Sequence, residues 1–87
     1  MKFKDFHIFR EKRFTVGVEE ETGRYYLSIP VANRRIDYDE YYEISREMAE
    51  AAPGNMDQLE QLVAQCRDRQ NDQHLMISPG TDRGTPT

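Results

Sequence analysis

The sequence predicts an α+β fold, on three observations. Apolar residues alternate with polar ones through residues 14–44, the repeat changes to helical spacing after residue 45, and all strand signals precede all helix signals. The expected architecture is a small antiparallel meander of three to four strands, followed by a short and then a long C-terminal helix packed on one face.

The central hairpin is the clearest element. Phe14, Val16 and Val18 alternate with Thr15, Gly17 and Glu19, while Tyr25, Leu27, Ile29 and Val31 alternate with Tyr26, Ser28 and Pro30. Between them, Glu20-Glu21-Thr22-Gly23 supplies a loop in which Gly23 suits a left-handed residue. Gly17, inside a strand, marks a bulge or the close approach of another group. Pro30 cannot donate to a ladder, so that end of its strand lies at a sheet edge or is leaving the sheet.

Ala32-Asn33-Arg34-Arg35 reads as a turn. The next strand places Ile36, Tyr38, Tyr42 and Ile44 on one face and Asp37, Asp39, Tyr41 and Glu43 on the other. Glu40 interrupts the apolar face, which predicts an exposed position or a bulge. Phe6, Ile8 and Phe9 suggest a further short strand ahead of the hairpin.

Ser45 suits the N-cap of a short helix reaching about Ala52, which Pro53-Gly54 ends. Asn55 and Gln58 have the spacing of a capping box. Met56, Leu59, Leu62, Val63 and Cys66 then form one apolar helical stripe. Residues 1–74 are expected to form one domain. Residues 75–87, rich in Gly, Pro, Thr and Ser, are expected to form a disordered tail.

The chain has 87 residues, one cysteine and a net charge of −4. A unit of this size buries only about 60% of its unfolded surface, and oligomers often supply the missing stability, so a homodimer is expected. No apolar run approaches the ~20 residues needed to cross a bilayer, and the N-terminus lacks the apolar core of a signal peptide. With a lone thiol, these features fit a cytoplasmic protein.

Charge is unevenly spread. Residues 1–13 are net +3 and residues 37–50 net −5. The asymmetry can steer a partner, or the two segments can pair with each other.

Asp37-Tyr38-Asp39-Glu40-Tyr41-Tyr42-Glu43 is the densest candidate feature. It reads as a solvated strand face, or as a surface for a basic partner formed by Asp37, Asp39, Glu40, Tyr41 and Glu43 with Tyr26 beside them. A metal site is not expected, because no loop with turn glycines gathers the 6 or so oxygens a hard cation takes, and His7 and His74 have no ligands at zinc spacing. Cys66 on the apolar stripe reads as a small hydrophobe. Phe3, Phe6 and Phe9 among Lys2, Lys4, Arg10 and Lys12, with Arg34-Arg35, suggest single-strand binding, but the acidic total argues against nucleic acid. No phosphate-binding loop, cofactor motif or catalytic set is expected.

The run Arg24-Tyr25-Tyr26-Leu27-Ser28-Ile29-Pro30-Val31, followed by Asp37-Tyr38-Asp39-Glu40-Tyr41-Tyr42, resembles a core seen in small bacterial proteins of uncharacterised function. The resemblance spans about a third of the chain and implies a bacterial origin and no activity. From the residues themselves, the first functional expectation is a non-enzymatic protein–protein interaction module, such as an acidic immunity-like inhibitor of a basic toxin. The second is a small-ligand binder or enzyme with a site at a homodimer interface, built from Tyr26, Tyr41, His7 and nearby carboxylates.

Overall fold

A computed structural model describes residues 2–32, 37–77 and 83–86. The turn expected at Asn33–Arg35, together with Ile36, lies outside the described residues, as do Ser78–Asp82 of the expected tail. The fold is α+β. Strands β1 (Phe3–Phe9), β2 (Phe14–Glu19), β3 (Tyr25–Ala32) and β4 (Asp37–Ile44) form an antiparallel meander in sequence order. Helices α1 (Arg46–Ala51) and α2 (Met56–Arg67) follow, and β5 (Thr85–Pro86) pairs with β3. No helix among the described residues is long and apolar enough to cross a membrane.

The alternation chooses the faces. Phe14, Val16, Leu27, Ile29, Val31 and Tyr42 point to one side, where Ala49, Ala52, Leu59, Val63 and Cys66 of the helical region close over them. Burying each of the larger side chains contributes roughly 1.5–3 kcal/mol. Met56 and Leu62 of the predicted stripe sit at its margin, partly buried. Cys66 is fully buried, and its thiol pKa is pushed up to about 11, chiefly by that burial. It is packing, not a nucleophile.

The β1–β2 and β2–β3 turns each use left-handed backbone. Gly23 has φ of 74° and Arg13 has φ of 58°. Ser45 caps α1 by accepting from the Met48 amide at 3.1 Å. Asn55 makes no side-chain cap, contrary to the capping-box spacing. Its Nδ2 instead donates to the Met48 carbonyl at 3.0 Å, tying α2 back to α1. α2 ends in a Schellman pattern: the Gln70 amide reaches the Gln65 carbonyl, the Arg69 amide reaches Cys66, and Arg69 takes φ of 58°.

Glu40 corrects the sequence expectation. It is neither exposed nor on a bulge. The β3–β4 register runs unbroken through it, and it is 6% exposed. A carboxylate held among apolar side chains needs a cation, and Arg83 supplies one. Its Nε and Nη2 donate to Glu40 at 2.8 and 3.0 Å, while Nη1 and Nη2 donate to Asp72 at 2.7 and 2.9 Å. Tyr42 adds its hydroxyl to Glu40 at 3.0 Å.

The stretch after residue 74, expected to lack structure, is therefore held at two places. Leu75 bridges to Tyr42 and the Met76 amide donates to the Tyr41 carbonyl, along the edge of β4 that β3 does not occupy. Arg83–Pro86 return through the Arg83 fork and the β5–β3 pairing.

Glu19 was expected on the wet face of β2 and is instead fully buried. Its carboxylate accepts from the amides of Lys2, Glu21 and Thr22, each at 2.9 Å, and from the Thr22 hydroxyl at 2.6 Å. These donors hold its pKa near 2, with the Thr22 hydroxyl the largest cause. A carboxyl depressed in the folded state contributes stability that is present above its ordinary pKa and lost as pH falls toward its folded value. Urea unfolding of the natural chain should therefore weaken between about pH 5 and pH 2. Glu19→Gln should be less stable at pH 7, because one amide hydrogen then faces the backbone donors, and its stability should fall less across that window.

Breaking the buried pair by Arg83→Met should cost about 3 kcal/mol at pH 7. Adding Glu40→Leu should recover part of that loss, since no buried charge then lacks a partner. A double variant less stable than Arg83→Met would contradict this account.

Candidate functional site

The sheet face away from the helices is built by the other half of the alternation. β4 sends Asp37, Asp39, Tyr41 and Glu43 there, opposite Ala32, Pro30, Ser28 and Tyr26 of β3. β1 adds Phe3 and Asp5 through their pairing with Glu19 and Gly17. The register shifts between Asp5 and His7, so a bulge at Phe6 turns the rest of β1 over, and His7 pairs with the core residue Val16.

Gly17 makes the middle of this face possible. A Cβ at that position would collide with the Lys4 carbonyl and the Tyr26 hydroxyl. The Tyr26 ring therefore lies across β2, where its hydroxyl donates to Asp5 at 2.5 Å. Phe3 stacks on Tyr41 with centroids 3.7 Å apart, and both meet Tyr26 edge-on, at 5.2 and 5.1 Å. Tyr26 is left 0% exposed beneath them. Aromatic contacts of this kind add about 0.5–1.5 kcal/mol each beyond area burial.

Carboxylates surround the aromatic trio. Asp5, Asp37, Asp39 and Glu43 are exposed, and Arg24 reaches Glu43 at 3.9 Å on the surface. Burial, followed by the charge of Asp5, raises the Asp39 pKa. Burial, followed by Asp39 and Asp5, raises that of Tyr41. Beside the trio, Ile8, Thr15, Ser28, Pro30, Asp39 and Arg13 line a shallow recess of about 300 Å³.

The structure thus brings together five of the six residues expected to form a partner surface and separates the sixth. Asp37, Asp39, Tyr41, Glu43 and Tyr26 share the face, but Tyr26 is sealed inside it, and Tyr41 is half-buried. Glu40 points the other way, into the core. His7 does not join Tyr26 and Tyr41, because the β1 bulge carries it to the helix side. Phe3 and Asp5 are the members that sequence reading missed. The only signal the sequence offered for them is their i, i+2 spacing ahead of the hairpin, because the pairing of Asp5 with Gly17 is set by the strand register.

Among the described residues, no group of three His, Cys, Asp or Glu side chains is placed to hold a metal. No ion pair among them joins the basic segment 1–13 to the acidic segment 37–50. Lys12 instead pairs with Glu60 at 2.7 Å, and Arg46 with Glu50 at 2.7 Å.

Gly17→Ala should destabilise the fold by roughly 1–3 kcal/mol, measured by urea unfolding. Adding Tyr26→Phe should not restore stability, because the Lys4 carbonyl still blocks the methyl group. Full recovery in the double variant would show that the tyrosine hydroxyl alone sets the glycine requirement.

The chain matches no family model, no curated protein and no solved structure.

Proposed function

We propose that this chain is a non-enzymatic protein–protein interaction module that receives a basic partner on the outer face of its sheet. One observation carries the reading: exposed Asp37, Asp39 and Glu43 stand in line on β4 around half-buried Tyr41, and Asp5 adds a further carboxylate from β1. Such an array favours lysine and arginine, speeds encounter with a cationic surface and supplies rigid aromatic area at its centre. An acidic, immunity-like inhibitor of a basic toxin, acting in the cytoplasm of a bacterium, is the concrete form of this reading.

Tyr26 supports the surface from below and touches no partner. Asp37, Asp39, Tyr41, Glu43 and Asp5 are the contact residues. A homodimer through this face is the weaker form of the proposal, because Phe3 and Tyr41 already cover Tyr26 and two copies would oppose like charges.

The test is retention of a basic protein from lysate of the source cell, measured against salt. Retention should fall steeply between 50 and 500 mM salt, a span over which the screening length drops to roughly half or less. It should be lost in Asp39→Lys with Glu43→Lys, while the unfolding midpoint of that variant stays close to that of the natural chain. Equal retention by the charge-reversed chain would remove the proposal. Sedimentation in dilute solution should give a monomer, and a stable dimer that survives the same two substitutions would assign the face no part in self-association.

A further inference from the structure

The groups around Arg83 form a receptor that the chain fills with its own C-terminal segment. Glu40 on β4 and Asp72 at the start of the 3₁₀ turn Asp72–His74 each accept two hydrogen bonds from the guanidinium. Two bidentate forks on one planar group are a geometry that arginine satisfies and lysine does not. The recognition continues along the backbone. The Gly84 amide donates to the Tyr38 hydroxyl at 2.9 Å, and Arg69 donates to the Gly84 carbonyl at 2.6 Å. Thr85 and Pro86 then pair with Ala32 and Val31.

That pairing uses a vacancy built into the meander. β2 pairs with β3 only as far as Ser28, so the far end of β3 offers its β2-side edge to an added strand. Every recognising group lies outside the segment it holds: Glu40 and Tyr38 on β4, Asp72 in the turn, Arg69 after α2 and Val31–Ala32 on β3. The segment contributes one arginine, one buried glycine and two paired residues.

We propose that this site is a receptor for an extended Arg-Gly segment, and that an Arg-Gly segment of a partner protein binds there by replacing Arg83–Pro86 and adding as a strand to the end of β3. The site lies on the core side of β4, so the inference stands apart from the acidic outer face. The resident segment competes within the same chain, at an effective concentration on the order of millimolar, and so sets the affinity a partner must exceed.

The probe is the capped, fluorescently labelled peptide Arg-Gly-Thr-Pro, added to the full chain carrying Arg83→Ala. Saturable binding is expected, at least tenfold tighter than to the natural chain, whose own segment competes. Replacing the peptide arginine by lysine should weaken binding at least tenfold, as should Glu40→Gln in the Arg83→Ala chain. Equal binding of the lysine peptide, or no saturable binding, overturns the proposal. If the Arg83→Ala chain does not fold, the natural chain decides: about 10 mM peptide, an excess over the resident segment's effective concentration, should shift the Gly84 and Thr85 amide resonances. Unmoved resonances overturn it equally.

Discussion

A carboxylate on the core side of a sheet must be neutralised where it lies, and Glu40 imposes that condition on the whole second half of the chain. Alternation along β4 points the Glu40 Cβ to the core side, opposite to Asp39 and Tyr41, and no rotamer change can carry it across the sheet. The answering charge is Arg83, 43 positions away in sequence. Bringing it there draws in Asp72, aligns β5 on the end of β3 and places Gly84 against Tyr38. Removing the arginine alone would strand a charge in a low-dielectric interior, a larger penalty than the pair itself is worth.

The opposite face is governed by a missing side chain. Gly17 leaves a slot over β2, Tyr26 fills it, and the Tyr26 hydroxyl reaches Asp5 on the next strand. Phe3 and Tyr41 close over the ring. One glycine thereby turns an aromatic sheet face from sticky to sealed and leaves carboxylates as its outward chemistry. A small antiparallel sheet usually protects its open side by a second layer. Here, three rings from three strands supply a partial layer, and like charge discourages a second copy.

Much of the scaffold was legible from local patterns. The β2–β3 hairpin follows from period-2 alternation and a loop glycine with φ of 74°, and the α2 stripe follows from helical spacing. The faces of Asp37, Asp39, Tyr41 and Glu43 were legible for the same reason. Asn55 was misread because its side chain found a carbonyl in the preceding helix instead of its own first turn. Glu40 and Glu19 were misread because a charge on a strand ordinarily signals solvent, and each has partners that alternation cannot reveal. The bulge that carries His7 away from Tyr41 is equally silent in composition.

The sequence by itself determined which residues become strands or helices and which side of β4 carries its acids, because these follow from backbone periodicity and neighbours a few positions apart. Tertiary structure alone decided that Tyr26 is sealed, that Glu19 and Glu40 are buried, and that Arg83 brings the end of the chain back to the sheet. Those outcomes depend on groups from distant segments meeting in one low-dielectric place, where an unpaired charge or an unfilled slot costs more than ordering the chain to remove it.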